Sequence, residues 1–500
     1  MSDNLTPQAI QGQIDGLTIR NQAFVGGAFV AALSGNTYDT VNPATGDVIT
    51  QVASCDAEDV DAAVKVARDA FESKVWSGLS PAERKQIMLR FAQLIEEHCL
   101  ELSVLEALEA GKPIGECFNV DIPDTANTIR WHAEAADKLY DAVAPTSSDV
   151  VATITREPIG VVAAVLPWNF PAMMAGWKLG PALVTGNSVI LKPAELTSLS
   201  TIRLAELAHE AGIPAGVFNV VTGLGHIAGK AIGMHPDIDL VAFTGSTEVG
   251  RRFLEYSAAS NLKRIVLECG GKNPQVVMSD VSDIQAVAEN VLASAFWNMG
   301  ENCSAGSRLI VHRSIKDALL EEMQRQLDAD WKTGDPLDPA VNLGALVEQA
   351  HMEKVLSHIE QAKAEGLAVL TGGERTLQES GGFFVAPTIF DNVPKDSSIA
   401  REEIFGPVLA VIPFDTEEEA IEIANDTCYG LAASLWSDNL STAHRMASAI
   451  RAGTISVNCF SEGDITTPFG GYKQSGFGGR DKSVYAHDQY CELKTTWIQL

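Results

Sequence analysis

The sequence predicts an α/β protein built on largely parallel sheets. Strand-like apolar runs alternate with helix-like periodic segments over most of the 500 residues, and no internal repeat or low-complexity tract interrupts them. The alternation is clearest between residues 155 and 270, where several strand–helix units follow one another as in a dinucleotide-binding sheet. A second alternating block runs from about 273 to 470, and the length allows about two to four domains.

Individual elements have local signals. Ser80-Pro81-Ala82-Glu83 is a capping box with proline at the first helical position, which predicts a helix there. A glycine at 212 and a proline at 214 end a helix over about 199–211. The other predicted elements are strands at 159–166, 188–191, 217–221, 240–243, 264–267 and 275–278, and helices from near Ser246 and over about 283–298.

Composition and charge narrow the class of function. Hydrophobic residues make up 46% and charged residues 20%, as in a globular protein rather than a disordered chain. The 36 Lys and Arg residues against 65 Asp and Glu residues leave a net charge of −29, which repels nucleic acid and anionic membranes. No apolar run is long enough to span a bilayer, and the first residues lack a leader pattern. We therefore expect a cytoplasmic enzyme that acts on a small molecule, with no nucleic-acid or membrane partner.

One cysteine differs from the other seven. The eight cysteines form no C-x-x-C pair, which favours reduced thiols, and seven are expected to be small buried hydrophobic residues. Cys303 lies among small and polar residues after a long predicted helix, which indicates an accessible loop. A buried structural cysteine is the alternative that these neighbours leave open.

Two further side chains are candidates for chemistry. Glu268 closes an apolar strand and meets a double glycine; a desolvated carboxylate there would have a raised pKa and act as a base, or it would form a salt bridge or a helix cap. Asn169 lies between two prolines after a buried strand. Its amide would either stabilise an oxyanion or form an Asx turn.

Two segments suit a dinucleotide. The run 245–250 follows a strand and would place backbone N–H groups and the Ser246 hydroxyl at a helix N-terminus, although it departs from the G-x-G-x-x-G fingerprint. Lys192 and Glu195 follow another strand, where they would meet a ribose. Surface turns are the alternative for each segment.

No metal site is expected. The ten histidines show no ligand spacing, and the cysteines add none. His351 and His358 fall two turns apart on a predicted helix, where a solvated face explains them.

Taken together, these motifs resemble the aldehyde dehydrogenase superfamily over about residues 22 to 500. The matching segments are 167–171 (PWNFP), 192–195 (KPAE), 243–246 (FTGS), 267–272 (LECGGK), the block around Cys303, 402–407 (EEIFGP) and 468–473 (PFGGYK). The resemblance implies an aldehyde dehydrogenase-like fold: a Rossmann-type NAD-binding domain (1–140 and 160–269), an α/β catalytic domain (270–474) and a small β oligomerisation element (141–159 and 475–500). The apolar, β-leaning tail at 490–500 and the similar segment at 141–156 predict a homodimer or homotetramer.

The resemblance also implies roles for single residues. Cys303 is the nucleophile that forms a thiohemiacetal and then a thioester, Asn169 and the Cys303 N–H hold the oxyanion, and Glu268 activates water. NAD is the expected cofactor and NADP is possible, because a carboxylate at 195 disfavours a 2′-phosphate. The implied cofactor contacts are Trp168, Lys192, Glu195, Gly225, Gly245, Ser246, Glu403 and Phe405. Two positions depart from the usual family pattern, Glu301 and His351, which many members replace with Gln.

Within the superfamily, the chain is most similar to γ-glutamyl-γ-aminobutyraldehyde dehydrogenases of polyamine breakdown, in segments such as 121–123, 129–135, 462–464 and 479–483. The implied substrate is an ω-aminoaldehyde or γ-glutamylaminobutyraldehyde. An acidic entrance above an apolar tunnel would fit a slim chain with an ammonium at its far end, although the acids are equally explained as solvated. The entrance residues are Asp121, Asp124, Glu462 and Asp464, and the tunnel residues are Phe170, Met174, Trp177 and Phe469.

Three alternatives stay open. The first is a broad-specificity aliphatic or hydroxy aldehyde dehydrogenase. The second is a CoA-acylating semialdehyde dehydrogenase, which would need no water-activating carboxylate at Glu268. The third is a catalytically silent scaffold, against which the intact Cys303, Glu268 and Asn169 argue.

Overall fold

The computed structural model of the chain describes residues 5–461 and 463–500. Its elements are numbered here in chain order. The strands β1 to β22 are Ala23–Val25, Ala28–Val30, Thr37–Val41, Val48–Ala53, Ala142–Ala144, Val150–Pro158, Val161–Val165, Ser188–Lys192, Phe218–Val220, Leu240–Thr244, Arg264–Glu268, Pro274–Val277, Arg308–His312, Ala368–Thr371, Arg375–Thr376, Phe384–Val385, Thr388–Asp391, Val408–Phe414, Ala432–Trp436, Thr454–Val457, Gly476–Phe477 and Cys491–Gln499. The helices α1 to α17 are Pro7–Asp15, Ala57–Glu72, Pro81–Glu97, Cys99–Ala110, Ile114–Glu116, Ile122–Ala135, Pro171–Val184, Leu199–Glu210, Lys230–Met234, Thr247–Ala259, Ile284–Phe296, Arg313–Asp330, Gln349–Ala364, Ser398–Arg401, Glu417–Asn425, Leu440–Ala449 and Tyr485–Gln489.

The first large sheet has the strand order β2-β1-β9-β8-β7-β10-β11-β21. Its central strands β9, β8, β7, β10 and β11 are parallel, as predicted, and β7, β8 and β10 are buried along their whole length because helices cover both faces. The carboxyl ends of parallel strands meet at one edge of a sheet. Lys192 at the end of β8, Thr244 at the end of β10 and Glu268 at the end of β11 therefore lie at the same edge of the sheet.

The second large sheet has the order β14-β17-β18-β13-β12-β19-β20 and is parallel except at β14. Strand β12 is central and is reached from β11 through the double glycine. The segment between α11 and β13 contains Cys303, so the second sheet delivers this thiol towards the edge at which Glu268 ends β11.

A third sheet has the order β22-β6-β5 and joins the two segments predicted to mediate assembly. Strand β22 lies at its edge with Leu493, Trp497 and Ile498 exposed. The predicted boundary at residue 475 differs from the structure at one point. Strand β21 pairs antiparallel with β11 and so belongs to the first sheet, because the chain passes the catalytic region before it reaches β22.

The predicted helix signals agree with the structure. Ser80 caps α3: its hydroxyl accepts from the Glu83 N–H at 3.3 Å, and the Glu83 carboxylate accepts from the Ser80 N–H at 2.8 Å. Ser246 is likewise the N-cap of α10. Within the described residues, no helix is both long and apolar enough to cross a membrane.

The prediction of seven buried cysteines is confirmed for four of them, Cys55, Cys117, Cys269 and Cys491. Cys99 is only partly buried, and Cys428 and Cys459 are exposed because both lie in loops that border the second sheet. No disulfide joins any of the cysteines that the structure describes.

Two buried histidines connect α6 to α17. His132 Nδ1 lies 2.8 Å from His487 Nε2, and the Trp131 ring stacks on His487. Burial lowers the pKa of His132 well below its ordinary value, and burial lowers the pKa of His487 to about 4. Both rings are therefore neutral near pH 7, and one donates its N–H to the other.

We expect this pair to make the fold acid-sensitive. A histidine whose pKa is lower in the folded than in the unfolded state costs stability as pH falls below the unfolded value of about 6.5, at about 1.4 kcal/mol per pH unit and proton. Going from about pH 6.5 to 5 should therefore lower the free energy of unfolding by about 2 kcal/mol per histidine. Thermal unfolding at pH 5 and 7.5 checks this. Between pH 7.5 and 5, His487→Gln should lose less thermal stability than the wild type. The control His444→Gln, at an exposed site, should lose as much as the wild type. Equal losses in all three proteins would refute the role of the histidine pair.

Candidate active site

Cys303 lies in a tightly held loop between α11 and β13. Asn298 and Met299 both have left-handed backbone angles (φ 51° and 55°), which turn the chain sharply after α11. The side-chain amide of Asn273 donates to the carbonyl oxygens of Cys303 at 2.8 Å and Ala305 at 2.9 Å. The backbone beneath the thiol is therefore fixed, and the Cys303 side chain is half-buried in a cavity wall.

Asn169 lies between β7 and α7 and is 5% exposed. Its Nδ2 donates to the carbonyl oxygen of Glu301 at 2.9 Å, which ties it to the loop that contains Cys303. An amide NH₂ has two hydrogens, so one is left for an acceptor in the cavity that Asn169 and Cys303 both line. The arrangement suits an oxyanion donor.

Glu268 ends β11 inside the protein and is 3% exposed. Among residues 5–461 and 463–500, no hydrogen bond of normal geometry reaches either of its carboxylate oxygens. Burial raises the pKa of Glu268 well above its usual value, and the charge of Asp481 raises it further, while Lys178 and Arg480 oppose the shift. A carboxylate in these surroundings binds a proton more readily than one in water, as a general base requires.

Cys303 lies where two cavities meet. The larger has a volume of about 240 Å³ and the narrower about 20 Å³. The larger is lined by Pro167, Trp168, Asn169, Phe170, Met174, Thr244, Gly245, Ser246, Cys269, Cys303, His351, Lys354, Glu403 and Phe405. The narrower is lined by Phe170, Met174, Trp177, Thr244, Glu268, Cys269, Asn302, Cys303, Phe469 and Asp481. Cys303 therefore shares the larger cavity with Asn169 and the narrower cavity with Glu268.

Five of the eight predicted cofactor residues line the larger cavity: Trp168, Gly245, Ser246, Glu403 and Phe405. The Ser246 hydroxyl accepts from the Val249 N–H at 3.3 Å at the N-terminus of α10, where backbone N–H groups favour an anion. Glu403 accepts from the Gly271 N–H at 2.7 Å, and burial raises the pKa of Glu403 to about 7.

The other three predicted cofactor residues form a second group. Lys192 Nζ lies 3.6 Å from Glu195 Oε2, and the Gly225 N–H donates to Glu195 Oε1 at 3.2 Å. Lys192 is 2% exposed, and burial lowers its pKa. A helix N-terminus with a hydroxyl suits a diphosphate, and a lysine with two separate carboxylates suits ribose hydroxyls. These donors and acceptors therefore fit a dinucleotide.

The four predicted tunnel residues are all buried and line the narrower cavity. The Trp177 and Phe469 rings contact each other with centroids 5.1 Å apart. Phe170 and Met174 line both cavities. Apolar side chains around a narrow cavity favour an aliphatic chain over a polar one.

The predicted acidic entrance is wrong for Asp121. This carboxylate is fully buried and pairs with Lys112, because the wide helical turn 117–121 points it inward instead of towards solvent. Asp124 is partly buried and accepts from Trp177 Nε1 at 3.0 Å. Asp464 is exposed, and Glu462 lies outside the described residues.

The solvated-face interpretation of His351 and His358 is also wrong. Their side chains are only 10% and 14% exposed. Nε2 of His351 lies 2.6 Å from the carbonyl oxygen of Phe405, and burial lowers the pKa of His351 to about 4, so the neutral ring donates this hydrogen bond. The spacing of His351 and His358 shows that they share one face of the helix, but it does not show whether that face meets solvent or packs on a loop distant in sequence. The resemblance did single out His351 as a departure from the usual family pattern, and this side chain lines the larger cavity.

The residues missed by sequence reasoning are held by contacts across long stretches of chain. Lys178 on α7 and Asp481 form a buried ion pair at 2.6 Å, and Asp481 lines the narrower cavity beside Glu268. The Lys482 ammonium lies 4.3 Å from the centroid of the Trp177 ring. No local sequence pattern links Lys178 to Asp481 and Lys482. The segment 479–483 was noted for its family resemblance, but no role was predicted for Asp481 or Lys482.

The fold and site together define a class. The Cys303 thiol lies close to the Asn169 amide and to the buried Glu268 carboxylate, beside groups that fit a dinucleotide. These groups are the ones that an oxidoreductase needs if it forms a covalent bond to a carbonyl carbon.

Comparison with known proteins identifies the family. The model of the aldehyde dehydrogenase family matches residues 29–496, and the chain belongs to this family. It is 59% identical to aminoacetaldehyde dehydrogenase of Pseudomonas aeruginosa over 482 aligned residues, and the alignment covers 96% of each chain. The crystal structure of γ-glutamyl-γ-aminobutyraldehyde dehydrogenase from Burkholderia cenocepacia superposes with a TM-score of 0.97 at 53% identity, over 99% of this chain and 100% of the other. A crystal structure of indole-3-acetaldehyde dehydrogenase with bound NAD+ gives a TM-score of 0.97 at 54% identity, with the same coverage.

These comparisons confirm the predicted family, fold class and enzyme class. The predicted cofactor agrees with the NAD+ bound in the indole-3-acetaldehyde dehydrogenase.

Proposed function

We propose that this enzyme oxidises an ω-aminoaldehyde or γ-glutamylaminobutyraldehyde to the carboxylic acid with NAD, in amine or polyamine breakdown. The observation that carries the proposal is that Cys303 and Glu268 line the same apolar chamber. Two relatives support this substrate class, because one is named as an aminoacetaldehyde dehydrogenase and the other as a γ-glutamyl-γ-aminobutyraldehyde dehydrogenase.

Cys303 provides the covalent step. Its thiolate attacks the aldehyde carbon, and the oxygen that becomes negative accepts hydrogen bonds from Asn169 Nδ2 and the Cys303 N–H. Bound NAD supplies the acceptor for the hydride that leaves this carbon. A thioester then remains on Cys303.

Glu268 provides the hydrolytic step. It takes a proton from the water that attacks the thioester carbon, and the Cys303 thiolate leaves as the acid forms. The same carboxylate argues against a CoA-acylating enzyme, which would transfer the acyl group to a thiol instead of to water. Glu195 favours NAD over NADP, because its carboxylate would repel a 2′-phosphate.

The charge at the entrance is mixed. Asp464 is exposed, and its pKa is lowered by hydrogen bonds from Thr466 and by the nearby positive charge of Lys482. Lys482 lies over Trp177 at 4.3 Å and over Phe469 at 5.7 Å. An ammonium tail would meet the exposed Asp464. The carboxylate of a γ-glutamyl tail would in addition be attracted by the charge of Lys482, which is only 5% exposed and lies behind the two rings.

Substrate kinetics test the proposal. Purified enzyme is given 4-aminobutanal, γ-glutamylaminobutyraldehyde and pentanal, each with NAD and NADP and with or without CoA. We expect both charged substrates to exceed pentanal in kcat/KM. Asp464→Asn should lower, and Lys482→Met should raise, the preference for 4-aminobutanal over pentanal, each by about twofold to fivefold, because a single partly screened charge changes.

The matched control is Glu379→Gln, which neutralises an exposed acid far in sequence from Asp464. It should leave the preference for 4-aminobutanal over pentanal unchanged. Unchanged ratios in both entrance variants would refute charge selection at the entrance. Equal kcat/KM for all three aldehydes would instead support a broad-specificity aliphatic enzyme, and NADH formation that depends on CoA would support an acylating one.

We also propose a cytoplasmic homodimer or homotetramer in which the third sheet mediates assembly. The exposed apolar side chains of β22 support this, because an unpaired strand edge of this kind pairs readily with another chain. The three-part domain division, with β21 moved to the first sheet, is part of the same proposal.

A further inference from the structure

Lys112 is a buried cation that the catalytic scheme does not use. It follows α4 and the left-handed Gly111 (φ 74°), which turns the chain inward, and it is 1% exposed. Its ammonium donates to the carboxylate of Asp121 and, at 3.1 Å, to the backbone carbonyl oxygen of Asn169. It also lies 3.8 Å from the centroid of the Phe170 ring. One charge therefore contacts two consecutive residues of the active site.

Stability alone is a poor explanation for this charge. Removing two ions from water costs several kcal/mol each, so apolar side chains of similar size often stabilise a core equally well. Burial lowers the pKa of Lys112, but Asp121, Cys117 and Glu106 nearby outweigh this and raise it overall, so the ammonium stays charged. The polar atoms of Glu106, Cys117 and Asp121 lie within 4.8 Å of one another. Burial raises the pKa of Cys117 well above its usual value, so this thiol is neutral, and the ammonium is paired with the Asp121 carboxylate.

The contacts around Asn169 form a clamp. Its carbonyl oxygen accepts from Lys112 and, at 3.2 Å, from Asn298 Nδ2. Asn298 Nδ2 also donates at 3.0 Å to the Glu301 carbonyl oxygen, which is the acceptor of Asn169 Nδ2. The backbone of Asn169 and its side-chain rotamer are thus held from opposite ends.

We propose that Lys112 is a positioning residue for catalysis, which holds the oxyanion donor Asn169 and the tunnel ring Phe170 in their working orientation. A donor stabilises developing charge only if it is held within about 0.5 Å of its place, so a loosened carbonyl slows the reaction without removing the donor. Lys112 is not among the residues that line the two cavities at Cys303. The inference rests on the proposed role of Asn169.

A double-mutant cycle tests the proposal. Lys112→Met combined with Asp121→Asn removes both charges and avoids leaving a carboxylate buried without its partner. We expect the single-turnover rate of NADH formation to fall about 10-fold to 100-fold, with KM and the Kd for NAD within about threefold of wild type. In an Asn169→Ala background, the same pair should cost less than about threefold, because the donor that it positions is gone.

A structural role predicts different results. Equal losses in both backgrounds, or an unchanged single-turnover rate, overturns the proposal. If Asn169→Ala alone has no effect, both the oxyanion role and the positioning role fail; if it has an effect but the losses are additive, only the role of Lys112 fails. If the first double variant does not fold, Lys112→Gln with Asp121→Asn replaces it, because this pair keeps a polar contact in the pocket. We expect its loss of rate to be smaller in the Asn169→Ala background. Equal losses in both backgrounds would overturn the proposal here too.

Discussion

Replacing Cys303 with alanine should lower aldehyde oxidation by at least about 10⁴-fold, because the covalent step is lost. Cys269 also lines the cavity but cannot substitute. Burial raises its pKa to about 12, so it remains a poorly nucleophilic thiol at neutral pH. NADH formation followed by absorbance measures the loss. The Kd for NAD, from quenching of tryptophan fluorescence, should stay unchanged.

The control for this experiment is Cys428→Ala, which removes an exposed thiol and should leave the rate within about twofold of wild type. Retention of more than about one per cent of wild-type activity by Cys303→Ala would show that the reaction does not pass through this sulfur.

Glu268→Gln should separate the two halves of the reaction. Without a base for water, we expect kcat to fall about 10²-fold to 10⁴-fold, while a burst of about one NADH per active site persists because the thioester still forms. Rapid mixing measures both quantities. In the wild type, the hydrolytic rate should rise with pH, since the carboxyl must lose its proton before it can accept one from water; in the variant this rise should disappear.

Glu301→Gln is a matched control for Glu268→Gln. Glu301 is also a buried carboxyl whose pKa is raised by burial, and its side chain accepts from the Val347 N–H at 3.1 Å, which glutamine can also do. It should keep kcat within about threefold and retain the pH dependence. If Glu268→Gln lost the burst together with kcat, the carboxylate would act before thioester formation.

The elements of the first sheet could be predicted because their signals are local. The capping box at Ser80 and the serine that begins α10 specify helix starts within a few residues, and strands such as β8 are continuous apolar runs. Glu268 and Asn169 were singled out because each follows a predicted strand, and Cys303 because small and polar residues surround it after a predicted helix. These local signals left structural alternatives open, and the catalytic roles came from the resemblance to the aldehyde dehydrogenase superfamily.

The environment of these side chains could not be predicted in the same way. Asp121 has the local sequence of any acid just before a helix, and only its contact with Lys112 makes it a buried partner. His351 lies on a helix whose outer surface is covered by the loop that carries Phe405. Such contacts depend on how elements pack, and sequence spacing within one element carries no information about them.

The path of the chain after residue 475 joins the surface to the buried carboxylate. Within one short stretch it supplies β21 beside Glu268, then Asp481, then His487, and finally the edge strand β22. The side chain whose charge raises the pKa of Glu268, Asp481, is therefore anchored in the same stretch as an exposed strand edge. An insertion or deletion between Asp481 and β22 would have to preserve both the pairing of the edge strand and the place of this charge.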